Sequence, residues 1–115
     1  MSTGDGASAI PEDTGALLAP ALERWGLAGP ETEVSLVTRR ENLVYRITVP
    51  RGGRRTAFAL RLHRPGLRTT PQLRSELAWM QAMAEAGIPV PAPLLSTPGA
   101  LIETVDGFNF SLLRW

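Results

Sequence analysis

Near the centre of the 115-residue chain the sequence reads Phe58-Ala59-Leu60-Arg61-Leu62-His63-Arg64-Pro65. Large apolar residues alternate here with small or charged residues, which predicts a β-strand over 56–63, because successive side chains of a strand point to opposite faces. One face carries Phe58, Leu60 and Leu62, and the other carries Ala57, Ala59, Arg61 and His63. We expect the first face to enter the core, which leaves the second face open to a ligand.

Four further strands are predicted around this segment. With it, the predicted strands are 33–38, 43–49, 56–63, 101–105 and 108–115. The prolines of residues 88–93 force an extended backbone, and Asp106-Gly107 favours a tight hairpin turn. The predicted fold class is therefore α+β: a five-stranded, mostly antiparallel sheet, with one main helix between the third and fourth strands and a preceding N-terminal helix.

Apolar residues at a spacing of three and four predict the two helices. The first follows Thr14 as its N-cap and runs to Trp25, with a kink or a division into two short turns at Pro20. The second takes Thr70 as its N-cap and ends at Gly87, and its periodic pattern is the clearest in the chain.

The composition excludes several classes of protein. The basic residues number 12, all arginine, against 11 acidic residues, and a net charge of +1 provides no field that would attract nucleic acid or an anionic membrane. The absence of cysteine excludes disulfide frameworks and thiolate metal sites. No leader peptide and no run of roughly 18 apolar residues is present, which predicts a cytoplasmic protein. Residues 1–15 are small and polar and are predicted to be flexible.

The face that carries Ala59 and Arg61 has the residue types of a nucleotide site. Adenine needs a shallow apolar floor, and the phosphates need a cation about two residues further along the same face. Val44, on the preceding strand, would cover the base. The alternative is that Arg61 is a surface arginine on a half-exposed strand, which is the commoner position for such residues.

Glu76 follows Arg61 in the second predicted helix. Leu73 and Leu77 belong to the apolar stripe of that helix, and Glu76 lies at its border. Because a carboxylate at such a border tends to be paired, we predict an ion pair between Arg61 and Glu76. The alternative is an ordinary surface glutamate near Arg74 or the start of the helix.

Four segments in this order carry a resemblance to a known family. They are Glu41-Asn42-Leu43-Val44-Tyr45-Arg46, the central stretch extended to Gly66, Ser75-Glu76-Leu77-Ala78-Trp79 and Ile88-Pro89-Val90-Pro91-Ala92-Pro93. Together they resemble the aminoglycoside phosphotransferase and homoserine/choline kinase-like superfamily over about residues 33–115. The resemblance implies that residues 16–115 form a kinase-like small lobe that binds ATP with Mg²⁺ and serves transfer of the γ-phosphoryl group to a hydroxyl acceptor.

The resemblance also implies roles for individual residues. Glu41-Asn42 would lie in the loop over the phosphates, Arg61 would take the position of the phosphate-binding cation, and Glu76 would be its partner on the helix. Residues 108–115 would lead to the hinge. The nucleotide-binding residues predicted in this way are Asn42, Val44, Ala59, Arg61 and Glu76.

The sequence departs from the family pattern in two respects. The usual lysine is replaced by Arg61, whose planar guanidinium is not equivalent to a compact ammonium group. The catalytic loop and metal-binding aspartate of the family are absent, since the only aspartates are Asp5, Asp13 and Asp106, and Asp106 belongs to a predicted turn. We therefore expect the catalytic residues and the Mg²⁺ ligands to lie in a large lobe that is missing from this chain, which would be inactive alone.

Two other functions stay open. One is a truncated, non-catalytic interaction module whose exposed face, near residues 94–101 and 112–115, packs on a partner chain. The other is nucleic-acid binding through a basic rim, for which the default interpretation is a set of solvated turn residues. The candidate rim consists of Arg39, Arg40, Arg51, Arg54 and Arg55. His63, the single histidine, has no acidic or cysteine neighbours in sequence and is interpreted as an ordinary strand residue.

Overall fold

The computed structural model describes residues 15–39, 42–66 and 68–115. The helices are α1 (Gly15–Glu23) and α2 (Thr70–Glu85). The strands are β1 (Glu33–Arg39), β2 (Asn42–Arg51), β3 (Arg54–His63), β4 (Pro93–Leu94), β5 (Glu103–Val105) and β6 (Phe108–Arg114). The segment 1–15, predicted to be flexible, lies outside the described residues except for Gly15, and so do the predicted cap Thr14 and the loop residue Glu41.

The strands form one antiparallel sheet in the order β1-β2-β3-β6-β4, with β5 also paired to β6. The connection from β3 to β4 contains α2, so the predicted α+β class and the position of its main helix are confirmed. The sheet has six strands rather than five. The additional strand is β4, which forms because the extended proline-rich segment lies along β6 and pairs Pro93 with Leu113 and Leu94 with Leu112.

One face of the sheet forms the main core with α1. The residues of β3 that were predicted to face inward are buried, as are the alternate residues of β2, and α1 covers them with Leu17, Ala21 and Leu22. The most deeply buried side chains of this core are Ile47, Leu60, Leu62, Phe110 and Leu112. Each such side chain contributes about 1.5–3 kcal/mol by leaving water, so this face carries most of the stability of the fold.

Helix α1 is continuous through Pro20, so it does not divide into two turns. Its C-terminal end is joined to β4 and β5 by polar contacts. The Trp25 indole Nε1 donates a hydrogen bond of 2.9 Å to the Leu94 carbonyl oxygen, and Arg24 forms a 2.7 Å ion pair with the buried Glu103. The Ser96 hydroxyl donates a further hydrogen bond of 2.5 Å to Glu103.

Helix α2 lies on the side of the sheet opposite α1, where Leu73 and Leu77 pack with Ile102. Its N-cap is Thr69 rather than the predicted Thr70. The Thr69 side chain accepts a hydrogen bond from the backbone N–H of Gln72, and the Gln72 side chain accepts one from the backbone of Thr69. This reciprocal capping box satisfies two N–H groups at the start of the helix, which a cap at Thr70 would not achieve with the same residues.

The turn between β5 and β6 is formed by Asp106 and Gly107, as predicted. Both residues have a positive φ, 51° and 84° respectively, as a two-residue type I′ hairpin requires. Asp106 is thus a turn residue. Neither α1 nor α2 is long and apolar enough to cross a bilayer, a finding that covers only the residues the structure describes.

Two predicted surfaces differ in the structure from their predicted extent. Arg39 pairs with Leu43 at one end of β2, whereas Arg51 and Arg54 flank the turn at its other end, so these arginines do not make a single basic rim. Arg40 lies outside the described residues. Leu112 and Leu113 are buried, because β6 lies between β3 and β4, and the predicted exposed face at 112–115 is reduced to its last two residues.

Candidate nucleotide site

Two adjoining clefts lie on the α2 side of the sheet and share Arg61. The first, the apolar cleft, has a volume of about 380 Å³. Its lining residues are Val44, Ala59, Arg61, Met80, Pro91, Leu113, Arg114 and Trp115. The second, the polar cleft, is smaller, at about 90 Å³. Its lining residues are Asn42, Arg61, His63, Arg64, Arg68, Leu73 and Glu76. Arg61 therefore lies at the junction of an apolar and a cationic region.

The register of three neighbouring strands builds the apolar cleft. Val44 of β2 lies opposite Arg61 of β3, and Ala59 of β3 lies opposite Leu113 of β6. Directly opposed residues of a sheet point to the same face, so these side chains project together, away from the α1 core. Because Ala59 has only a methyl group, the floor of the cleft stays shallow.

Arg61 is half-buried, and its surroundings act on its charge in opposite directions. Burial lowers the pKa of Arg61, the carboxylate of Glu76 raises it, and the positive charge of Arg68 lowers it. A guanidinium group stays protonated in proteins, so Arg61 remains a fixed positive charge at the junction of the two clefts.

Glu76 lies at the border of the buried face of α2, as predicted, but its ion-pair partner in the structure is Arg68. Arg68 lies in the connection between β3 and α2, immediately before the capping residue of the helix. The expected Arg61–Glu76 relation is present as an electrostatic influence on the pKa of Arg61. Among the residues that the structure describes, the polar cleft thus holds three arginines, Arg61, Arg64 and Arg68, and one carboxylate, that of Glu76.

His63 has a structural partner that sequence reasoning did not reveal. Its Nε2 forms a hydrogen bond of 2.8 Å with the hydroxyl oxygen of Ser111, a fully buried residue that lies opposite Arg61 in the register of β3 and β6. Burial, with added repulsion from Arg61 and Arg68, lowers the pKa of His63 to about 4. The imidazole is therefore neutral at pH 7 and adds no charge to the polar cleft.

The start of α2 is attached to the sheet beside these residues. The Asn109 side chain donates a hydrogen bond of 3.1 Å from Nδ2 to the hydroxyl of Thr70, and its Oδ1 accepts one of 2.8 Å from Thr104. Asn109 lies opposite His63 in the sheet. The helix that carries Glu76 is thus held at the strand that carries Ser111.

The far end of the apolar cleft is marked by a cation–π contact. The guanidinium carbon of Arg46 lies 5.0 Å from the centroid of the Trp115 ring. Arg46 lies opposite Ala59, on the cleft face of β2. Among the described residues no group of three or more His, Cys, Asp or Glu side chains is placed to hold a metal ion.

Comparison with known proteins decides the family. Residues 33–115 match the profile of the phosphotransferase enzyme family, APH. The chain belongs to this phosphotransferase family. A comparison with curated protein sequences found no match.

The solved structure of a kinase shows the same fold as this chain. The structure of amicoumacin kinase hAmiN, determined in complex with AMP-PNP, Ca²⁺ and Ami, superimposes with a TM-score of 0.77 at 22% sequence identity. The match covers 98% of this chain and 34% of the kinase, so the chain spans about a third of the length of that protein. The fold of this phosphotransferase-family chain is therefore that of a kinase-like small lobe.

The five residues predicted from the sequence all line the two clefts of this lobe. Val44, Ala59 and Arg61 line the apolar cleft, and Asn42, Arg61 and Glu76 line the polar cleft. The clefts have further lining residues that were not predicted as site residues, among them Met80, Leu113, Arg64 and Arg68. Met80 lies within the predicted second helix and Leu113 within the predicted strand 108–115, and neither had a predicted role in binding. Their position in the cleft depends on the pairing of β3 with β6 and on how α2 packs on the sheet. Neither of these contacts can be predicted from the residues adjacent in sequence.

Proposed function

We propose that this chain is the ATP-binding lobe of a kinase of the phosphotransferase family, which transfers the γ-phosphoryl group of ATP to a hydroxyl acceptor. The observation that carries the proposal is the junction at Arg61, where an apolar cleft and an arginine-rich cleft adjoin on one face of the sheet. A nucleotide has the same division, with an apolar aromatic base at one end and anionic phosphates at the other.

The base would lie in the apolar cleft. Val44 and Ala59 provide apolar surface on the two neighbouring strands, and Leu113 and Met80 extend it toward β6 and α2. The half-buried methyl group of Ala59 leaves room for a flat ring above the strand. A larger side chain at this position would occupy that space.

The phosphates would extend from Arg61 into the polar cleft. Arg61 can donate two parallel hydrogen bonds to phosphate oxygens, and the amide of Asn42 can donate another. Glu76 would hold Arg68 and stabilise the positive charge of Arg61, consistent with the ion pair and with the direction of its effect on the pKa of Arg61. These groups stabilise negative charge, the main requirement of phosphoryl transfer.

Other parts of the reaction would depend on groups outside the described residues. In the transfer, the acceptor oxygen forms a bond to the γ-phosphorus as the bond to the ADP oxygen breaks, and the acceptor proton passes to a base. We infer that this base and the ligands of the Mg²⁺ ion lie in a second lobe. The described residues fit the anionic nucleotide, and a Mg²⁺ ion would reach them through its phosphates.

Equilibrium binding of ATP, measured by calorimetry, tests the proposal. The protein titrated is the full-length polypeptide, meaning this lobe together with the proposed second lobe. Arg61→Ala and Glu76→Ala should each raise the Kd, Arg61→Ala by about tenfold or more, because charge-assisted hydrogen bonds contribute about 1.5–3 kcal/mol. Arg61→Lys should retain most of the affinity, since it restores the cation usual in the family.

Arg74→Ala is the matched control, because Arg74 is an exposed arginine of α2 that lines neither cleft. It should leave the Kd unchanged. Circular dichroism should show the same fold in all variants. Unchanged affinity in both Arg61→Ala and Glu76→Ala would overturn the assignment of the site.

The interaction-module alternative has less support from the geometry. Leu95 and Trp115 are exposed, at 53% and 57%. They lie beyond opposite ends of the short β4–β6 ladder, in which Pro93 pairs with Leu113 and Leu94 with Leu112. Two separate apolar side chains do not form the continuous patch that a stable partner surface needs.

A further inference from the structure

We propose that Trp115 forms the outer wall of the base site and contacts the nucleobase directly. Arg46 holds the indole in position through the cation–π contact. This inference rests on the proposed function, since it concerns the same apolar cleft. It assigns a binding role to Trp115 and a positioning role to Arg46. The evidence is the register of the sheet, the exposure of the indole and the cation–π contact between the two residues.

The register places both side chains on the cleft face. Trp115 directly follows β6, two positions after Leu113, and lines the same cleft as Leu113. Phe58 pairs with Arg114, the last residue of β6, and continuing this register by one residue brings Trp115 level with Ala57, beyond the pair formed by Ala59 and Leu113. The indole thus lies past the end of the apolar floor, on the side away from Arg61.

Arg46 reaches this indole from two strands away. It lies on β2 opposite Ala59, and β3 separates β2 from β6. Adjacent strands are about 4.8 Å apart, so the Arg46 side chain must extend across β3 for its guanidinium to lie 5.0 Å from the Trp115 ring. The β3 residues that this path crosses are Ala57 and Ala59, whose methyl groups leave it open.

The cation–π contact with Arg46 explains how an exposed tryptophan side chain can keep one position beside the cleft. Trp115 is 57% exposed yet lines the apolar cleft, whereas Arg46 covers part of its ring without lining the cleft. An exposed cation–π contact contributes about 0.5–1 kcal/mol, enough to favour one position of the indole. A side chain that is already held in place loses less entropy when it binds a ligand.

The cleft consequently has two different ends. Arg61, at the inner end, is placed for the phosphates, and Trp115, at the outer end, is placed for the base. Packing of a base on an aromatic side chain is worth about 1–3 kcal/mol and depends little on the identity of the base. Trp115 should therefore act on the base and leave the phosphates unaffected.

A comparison of two ligands in the full-length polypeptide tests this division, with ATP and inorganic tripolyphosphate titrated by calorimetry. Trp115→Ala should weaken ATP about tenfold and leave tripolyphosphate unchanged. Arg46→Met, which keeps the length of the side chain and removes its charge, should weaken ATP about twofold to fivefold. Trp115→Phe should fall between the wild type and Trp115→Ala. Arg61→Ala should weaken both ligands.

Tryptophan fluorescence provides an independent readout. ATP should change the emission of the wild-type protein and of Trp79→Phe, the control that removes an exposed tryptophan on α2. The change should be smaller in Trp115→Phe than in either of these proteins, because Trp79 lines neither cleft and the buried Trp25 is bonded to Leu94 on the other side of the sheet.

The outcomes separate the two proposals. Normal ATP affinity in Trp115→Ala, with a loss in Arg61→Ala, would overturn the role of Trp115 and leave the nucleotide site in place. Equal weakening of ATP and tripolyphosphate by Trp115→Ala would also overturn it, since that pattern indicates a general disturbance of the lobe. Failure of the wild type to bind ATP would overturn both proposals.

Discussion

The two faces of the sheet are built from neighbouring residues but have different tasks. The α1 face is a continuous apolar layer, in which Leu60 and Leu62 are fully buried. The face toward α2 carries Ala59, Arg61 and His63 on the same strand, and it is indented by two clefts. Because side chains along β3 alternate between the two faces, consecutive residues contribute in turn to the stability of the core and to the binding clefts. Substitutions at consecutive positions should therefore have different consequences.

Leu60→Ala should produce the largest loss of stability. The side chain is fully buried, and removing it leaves a cavity that costs about 2–5 kcal/mol. Its neighbour provides the contrast, since Ala59→Leu should change the free energy of unfolding by less than about 1 kcal/mol while it fills the apolar cleft and weakens ATP binding. Urea denaturation and ATP titration of the two variants measure both effects. Equal destabilisation would contradict the division between the faces.

Lowering the pH should produce the next largest loss of stability, through His63 on the cleft face. Because burial lowers the pKa of His63 from 6.5 to about 4, the folded protein binds fewer protons than the unfolded chain between these values. The free energy of unfolding should therefore be highest above about pH 6.5 and should fall as the pH falls toward 4. This difference in pKa between the unfolded and folded states corresponds to about 3 kcal/mol of unfolding free energy in total.

His63→Gln isolates this contribution, because glutamine can still bond to Ser111 but does not titrate. Urea midpoints measured from pH 7.5 to 4 should decline less in His63→Gln than in the wild type. Ser111→Ala retains the histidine and should retain a decline in the same window. Parallel pH profiles for the wild type and His63→Gln would show that His63 is not buried as a neutral group.

A smaller effect is expected where α1 meets β5. Glu103 is buried and bonded to both Arg24 and Ser96, so Glu103→Gln should lower the free energy of unfolding by about 1–2 kcal/mol. The matched control is Glu33→Gln, which breaks the exposed 3.4 Å pair with Arg55 and should cost less than about 0.5 kcal/mol. Equal effects on the urea midpoint would argue against a stabilising role for the Arg24–Glu103 contact.

The smallest loss of stability is expected at the ion pair of the polar cleft. The side chains of Arg68 and Glu76 remain 46% and 34% exposed, and such pairs contribute about 0–1 kcal/mol. Arg68→Gln should thus leave the melting temperature nearly unchanged. A large decrease in differential scanning calorimetry would mean that this pair helps to hold α2 on the sheet.

Much of the fold could be predicted because it depends on local patterns. Alternation identified β2 and β3, and the Asp106-Gly107 turn has a backbone geometry that few other residue pairs adopt without strain. The strand β4 was not predicted, because Pro93 and Leu94 become a strand only through their pairing with β6. The N-cap was misplaced by one residue, because Thr69 and Thr70 are adjacent and only the bond to Gln72 distinguishes them.

The candidate site was partly predictable for the same reason. Ala59 and Arg61 share a face by periodicity alone, and Glu76 lies at a helix border that its own sequence defines. The partnership of Glu76 with Arg68 depends on how the β3–α2 connection folds back, and that of His63 with Ser111 depends on the register of two strands 48 positions apart. Contacts of that kind have no signature in the residues that precede or follow them.

The hydrogen bond between His63 and Ser111 has a practical consequence for magnetic resonance. The chain contains one histidine, and its ring lies two residues from Arg61 on the same face of β3. A proton spectrum should therefore contain one set of imidazole signals from this chain, and all of it originates at the polar cleft. Ligand occupancy could be followed from these signals at natural isotopic abundance, without attaching any probe to the protein.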